Sequence, residues 1–163
     1  MQLIRAGDEV LEVRGLGSGD ASLLERGFAS LSDATRVARF GAAKPRLSRR
    51  ELRFLVDVDH HRHEALVAVR PTNGAIVAVA RYVTSAADEH SAEIAVTVGD
   101  AWQGRGVGSA LAAMLVQRAR EEGIEHLTAF VLADNVRSLR MLHRAGFRAT
   151  ARDAGTVELA LSL

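Results

Sequence analysis

Two hydrophobic periods divide this chain. Glu9–Arg14 (EVLEVR) alternates apolar and charged residues, as a strand with one covered face does. Gly15–Gly19 follows as a glycine-rich turn. Ser18 or Asp20 is placed to cap a helix whose Leu23, Leu24, Phe28 and Leu31 fall near one side. Ser32-Asp33 restarts a short helix carrying Val37 and Phe40, and Gly41–Arg46, with Lys44-Pro45, is expected to be a linker. Ser48 precedes Glu51 at capping-box spacing and opens a helix that turns Leu52, Leu55 and Val56 inward.

Glu64–Val69 and Ala75–Val83 then read as two strands joined by Pro71-Thr72-Asn73-Gly74, a strong hairpin signal. After the polar Ser85–His90 comes a further strand, Ile94–Val98, which makes the middle of the chain an antiparallel meander. Past a glycine-rich loop, Ser109–Glu122 is helical, with Val107, Leu111, Met114, Leu115 and Ala119 along one side and Gly123 at its end. Ile124–Leu132 is the next strand. Asp134 or Asn135 caps a helix with Val136, Leu139 and Leu142 inward, stopping at Gly146, and Phe147–Ala151 and Thr156–Leu161 close the chain as short strands. The order predicts a mixed α/β (α+β) single domain, residues 1–163, with a central, mostly antiparallel sheet of about seven strands flanked by helices.

Bulk properties narrow the classes. The 163 residues suffice for one buried core, and 48% hydrophobic with 25% charged residues is ordinary for a globular domain. A formal net charge of +1 gives no pull toward nucleic acid or an anionic membrane. No apolar run reaches the roughly 18 residues of a membrane span, and the N-terminus has no signal-like apolar core, so a cytoplasmic location is expected. The chain has no cysteine, which removes disulfides, thiolate metal sites and a cysteine nucleophile. His60, His61 and His63 beside Asp57 and Asp59 match no zinc spacing, and no metal is expected.

Candidate chemistry concentrates in Ala92–Ser109 (AEIAVTVGDAWQGRGVGS). Glycines at 104, 106 and 108, just before a helix, let backbone N–H groups converge where the helix dipole is positive, which suits a pyrophosphate. A dinucleotide fold would place G-x-G-x-x-G directly after its strand in a parallel unit, and a P-loop requires a lysine that is absent here. A carboxylate, Glu93, stands at the other end of the same strand. An anion cradle and a candidate base on one strand-loop-helix unit suggest group transfer from a phosphate-bearing donor.

These residues resemble the GNAT superfamily of N-acetyltransferases. Gln103-Gly104-Arg105-Gly106-Val107-Gly108 fits that family's acyl-CoA signature, Q/R-x-x-G-x-G/A, between a strand and a helix. Asn135–Phe147 (NVRSLRMLHRAGF) is similar to its closing helix ending in Gly-Phe. RFGAAKPRLSRREL and DVDHHRHEALVAV resemble the bacterial protein-lysine acetyltransferase branch. The resemblance implies a GNAT-like fold with acetyl-CoA as co-substrate. It places pantetheine along Val96, Thr97 and Val98. It places pyrophosphate on the N–H groups of Gln103, Gly104, Arg105, Gly106, Val107, Gly108 and Ser109, with Asn135 near the CoA arm.

The same resemblance makes Glu93 the general base that deprotonates an amine, and a protein lysine the acceptor, for example on an AMP-forming acyl-CoA synthetase. The exposed-looking arginines of Arg46–Arg53 fit an acidic protein partner. Alternatives are transfer to a small-molecule amine, or a sensor that binds acyl-CoA without turnover. One departure stands out: where many members carry a tyrosine acid in the closing helix, this chain has Leu142, followed by His143, and its single tyrosine, Tyr82, is on another strand.

Overall fold

The computed structural model describes residues 1–42 and 44–163; Ala43, inside the expected linker Gly41–Arg46, lies outside the described residues. Eight strands form one sheet: β1 (Gln2–Ala6), β2 (Glu9–Gly15), β3 (His63–Val69), β4 (Ile76–Thr84), β5 (Ser91–Val98), β6 (His126–Leu132), β7 (Arg148–Asp153) and β8 (Thr156–Ser162). Their order is β1-β2-β3-β4-β5-β6-β8-β7, and β5 with β6 is the parallel pair in an otherwise antiparallel sheet. Among the described residues five α-helices accompany it: α1 (Ala21–Ala29), α2 (Asp33–Phe40), α3 (Arg49–Val56), α4 (Val107–Glu121) and α5 (Val136–Arg144).

Strand alternation divides the core in two. Ala80, Tyr82, Ile94, Leu127 and Leu159 pack with Leu111, Leu115 and Ala119 of α4 and with Leu142 of α5. Ala65, Val67 and Val69 point the other way and join Leu24 and Phe28 of α1, Leu47, and Leu55 and Val56 of α3. The first three helices thus cover the β3–β4 half of one side, while α4 and α5 cover the other. Phe130 of β6, with no helix over it, is 53% exposed.

Local signals set several boundaries. Ser48 accepts from the Glu51 N–H at 3.1 Å and Glu51 accepts from the Ser48 N–H at 3.1 Å, so the expected capping box is formed. Gly74, at φ +71°, closes the β3–β4 turn in a conformation that disfavours any residue with a Cβ. Ser32 caps α2 by accepting from the Thr35 N–H. Asp20 stands before α1, but its carboxylate is taken by Arg14 at 2.8 and 2.9 Å and by the Gly17 N–H, so it does not cap the helix. Arg14 accordingly holds the Asp20 carboxyl below the usual range.

The sheet exceeds the expected seven strands because β1 forms. Its five residues carry too short an apolar pattern to read alone, yet they pair with β2 from Gln2–Val13 to Ala6–Glu9. Val136, expected inward on α5, is 50% exposed, since Leu139 and Leu142 already fill the contact with the core. No helix among the described residues is long and apolar enough to cross a membrane.

Leu111 is fully buried, about one turn into α4. Leu111→Ala removes its contacts and leaves a void, so a loss of about 2–5 kcal/mol is expected in chemical denaturation at pH 7.5.

Candidate active site

The site begins where two strands separate. β5 and β6 pair at Ser91–His126, Ala92–Leu127 and Glu93–Thr128, whereas β5 stays paired with β4 as far as Val98–Ala78. Beyond Glu93 one edge of β5 therefore has no strand partner among the described residues. The Gly99 N–H donates to the Val77 carbonyl at 2.8 Å, toward β4. Backbone groups alternate along a strand, so those of Val96 and Val98 face the opening and those of Thr97 face β4.

After β5 the chain makes a single 3₁₀ turn, Asp100–Trp102, and is tied down by side chains. Asp100 accepts from the Ser32 N–H at 3.3 Å and from Thr35 Oγ1 at 3.0 Å, fastening the loop to the start of α2. These hydrogen bonds hold the Asp100 carboxyl below its ordinary value. Gln103 donates through Nε2 to the Val98 carbonyl at 3.0 Å and to Thr35 Oγ1 at 3.2 Å, and its Oε1 accepts from Arg137 of α5 at 3.0 Å. One amide thus pins the mouth of the opening on three sides.

The glycines have separate tasks. Gly104 and Gly106 adopt φ +74° and +83°, and a Cβ there would meet nothing within 4 Å; backbone conformation is what selects them. Gly108 has the opposite reason. A Cβ on it would lie 2.8 Å from Met141 Sδ and 3.2 Å from Val98 Cγ2, so its absence lets α4 seat closely on β5 and α5. No side chain caps α4 at Gly106, so the N–H groups of its first turn remain for an outside acceptor. Val107 is buried and can offer only backbone, whereas Arg105 and Ser109 are exposed. The Arg105 guanidinium lies 5.0 Å from the Trp102 ring, and Arg70 lies 5.7 Å from the same ring. Asn135 caps α5, its Oδ1 accepting from the Ser138 N–H at 3.2 Å.

Glu93 is exposed on the side of β5 that also carries Ala95 and Thr97, toward α2. Leu142 is buried in the core and His143 is exposed, so α5 directs an apolar side chain inward at the position where a tyrosine acid was missed. Tyr82 is fully buried on the α4 side of the sheet and donates to the His61 carbonyl at 3.0 Å. Burial raises its pKa far above the ordinary value, and it remains a protonated structural group.

Beneath α1 and α2, on the Glu93 side of the sheet, lies a cavity of about 540 Å³. Apolar residues of α1 meet Val79, Ala95 and Thr97 there, together with the arginines Arg26, Arg39, Arg70 and Arg81 and the carboxylate of Asp100. Arg81 is 5% exposed, donating through Nη1 to the Leu55 carbonyl at 3.0 Å and to His63 Nε2 at 2.9 Å. His63 also stacks on Phe54, with ring centroids 5.0 Å apart. Burial, then the Arg81 charge, pushes His63 below its ordinary value, which suits a neutral ring that accepts from Arg81. Sequence reasoning passed over this cluster, though a charged residue within the apolar run IVAVARYVT was a usable signal, because buried arginines are rare.

The other histidines of this turn have structural partners. Asp59 accepts from the N–H groups of His61, Arg62 and His63 at 2.8 to 2.9 Å. His60 contacts the buried Glu64 at 2.7 Å, and Arg118 of α4 donates to the same carboxylate at 3.1 and 3.2 Å. His61 meets Glu122, which raises its pKa. Among the described residues no three His, Asp or Glu side chains gather as metal ligands would.

A split sheet, an uncapped helix start and a glycine turn stand side by side here, and comparison with known proteins identifies the family. Residues 29–147 match the model of the acetyltransferase (GNAT) family. The acetyltransferase Pat of Mycolicibacterium smegmatis is 33% identical over 139 residues, covering 85% of this chain and 41% of that protein. Acetyltransferase PA5475 of Pseudomonas aeruginosa is 34% identical over 121 residues, 72% of this chain and 64% of its own length. The chain therefore spans less than two thirds of either curated relative. The crystal structure of the GNAT domain of S. lividans PAT superposes with a TM-score of 0.90 at 31% identity, covering 99% of this chain and 96% of that domain. The chain belongs to the acetyltransferase (GNAT) family, whose donor is acetyl-CoA, and the two Pat matches bear out the resemblance to the bacterial protein-lysine branch.

Because His63 is neutral in the fold and ordinary when unfolded, the unfolded chain binds the additional proton. Its contribution is complete above the unfolded value of about 6.5 and is lost as pH falls through the lower folded value. Urea midpoints should fall between pH 7.5 and 5. His63→Gln, which keeps an acceptor for Arg81, should flatten that decline relative to wild type.

Proposed function

We propose that this chain transfers an acetyl group from acetyl-CoA to the side-chain amine of a protein lysine by direct attack, with Glu93 as general base. Residues 1–163 act in this reading as one N-acetyltransferase domain, working in the cytoplasm. The observation that carries it is the parting of β5 and β6 directly beyond Glu93, which leaves the candidate base and an unpaired strand edge side by side.

The donor fits features of this chain. Bound acetyl-CoA supplies an acetyl thioester with a thiol leaving group. Val96 and Val98 offer backbone to the pantetheine in the manner of an added strand, a contribution that Thr97, paired toward β4, makes less directly. The N–H groups from Gln103 to Ser109 hold the pyrophosphate, with Arg105 adding charge and Asn135 its free amide nitrogen along the CoA arm. The Val98 N–H is the donor best placed to polarise the thioester carbonyl.

A lysine ammonium, with a pKa of about 10.4, must lose its proton before it can attack. Glu93 takes that proton, directly or through one water, and passes it to solvent. The new N–C bond forms as the C–S bond breaks. A thiolate, whose conjugate acid has a pKa of about 8.5, leaves without a dedicated acid. That accords with a buried Leu142, an exposed His143 and a Tyr82 engaged elsewhere.

An AMP-forming acyl-CoA synthetase is the protein acceptor proposed, as the resemblance to the protein-lysine branch implies. Arg46, Arg49, Arg50 and Arg53 are exposed and favour an acidic partner over a small free amine. Release of free CoA from acetyl-CoA, measured against such synthetases, histones and a panel of small amines, tests the choice; turnover confined to small amines would overturn the lysine acceptor. Glu93→Gln should lower kcat by about 10²-fold or more while leaving the Kd for acetyl-CoA unchanged. An unaltered rate would remove Glu93 from the reaction.

A further inference from the structure

The cavity beneath α1 and α2 has an unusual charge balance. Arg39 and Arg81 both line it, and among the described residues neither has a carboxylate within 4.0 Å; the arginine ion pairs of the molecule involve Arg14, Arg62, Arg70 and Arg118 instead. Arg81 at least donates to neutral acceptors, the Leu55 carbonyl and His63. Arg39 is half-buried, with its guanidinium 4.8 Å from the Phe40 ring and no hydrogen bond to any described residue. Burial lowers the pKa of both, and Arg39 lowers Arg81 further. Guanidinium does not give up its proton in proteins, so both side chains stay charged in a confined space. Charges so placed are normally paired.

Register puts this space next to the proposed base. Arg81 stands opposite Ala95 across the β4–β5 ladder, and Glu93 is the next residue on the same side of β5. The Glu93 charge is close enough to act on Arg39, yet the two do not form an ion pair. A lone ammonium entering here would meet the Arg39 and Arg81 guanidiniums, with Glu93 at the side of the cavity and the lining carboxylate of Asp100 already taken up by Ser32 and Thr35. An acceptor bringing its own anion would satisfy all of them: amine to Glu93, anion to the arginines.

We propose that the acceptor carries a carboxylate beside the reacting amine, and that Arg39 and Arg81 form the subsite that receives it. For a protein acceptor this means an aspartate or glutamate flanking the target lysine. Arg39, with no hydrogen bond or ion pair among the described residues, makes the direct contact, and Arg81 supplies field from a fixed position. The inference rests on the acyl-transfer reading above and adds the acceptor's chemistry to it.

Three peptides with a single lysine, flanked on both sides by Glu, Gln or Arg, test this by CoA release from acetyl-CoA. Wild-type kcat/KM should favour Glu over Gln flanks by about tenfold or more, with Arg flanks poorest, as expected for a desolvated charge-assisted hydrogen bond. Arg39→Gln should reduce the Glu preference to about threefold or less with the acetyl-CoA Kd unchanged, and Arg39→Lys should restore part of it. Succinate should inhibit wild type competitively with the lysine peptide, not with acetyl-CoA, and should lose that effect in Arg39→Gln. Equal use of Glu and Gln peptides by wild type, or an undiminished preference in Arg39→Gln, overturns the subsite while leaving acyl transfer intact. Absence of CoA release from every peptide and amine, with acetyl-CoA still bound, overturns the acyl-transfer reading itself. Arg81 is left unaltered, because losing its bonds to Leu55 and His63 would disturb the fold.

Discussion

Strands β5 and β6 run parallel for three pairs and then part, and most of the site depends on that separation. Backbone N–H and C=O groups at mid-sheet ordinarily find a neighbouring strand, so an unpaired edge at the centre of a sheet needs another occupant or water. The chain stabilises the gap from its rim. Gln103 covers the Val98 carbonyl and ties the loop to Thr35 and Arg137, while Asp100 fastens it to the start of α2. Gly108 allows α4 to approach β5 closely enough for the helix start to stand at the mouth of the opening. Donor recognition in this reading comes from backbone geometry more than from particular side chains.

The sheet then separates two environments. On the α4 side the packing is apolar, and the buried carboxylate of Glu64 is engaged by His60, Arg118 and the Ala65 N–H. On the α1–α2 side β4 carries Arg81 into a cavity that Arg39 also enters, and Glu93 stands on the same side of β5 beside it. Polar groups left without partners in such a space cost stability, and sites that retain them commonly use them on a ligand. In the proposed reading the donor takes the strand opening and the acceptor the cavity.

Much of this was legible along the chain. The capping box at Ser48, the Asn135 cap, the turn at Gly74 and the glycine loop are local arrangements, each determined by a few neighbouring residues. Less was legible where distant groups compete. Asp20 is a good cap by type, yet Arg14 captured it. Strand β1 exists because β2 pairs with it, and five residues could not announce that alone. The third glycine of the loop belongs to packing against Met141 and Val98, a relation invisible in the loop itself.

By itself the sequence determined the order of elements, the donor signature and the identity of a candidate base, because backbone preference, capping and short motifs act over spans of a few residues. Tertiary structure alone decided where β5 leaves β6, which side of the sheet Glu93 shares, and that Arg39 and Arg81, 42 positions apart in the chain, line one cavity with no carboxylate among the described residues within 4.0 Å of either. Those outcomes follow from strand register and helix placement. Both are properties of long-range pairing, in which one residue's shift exchanges the faces of an entire strand.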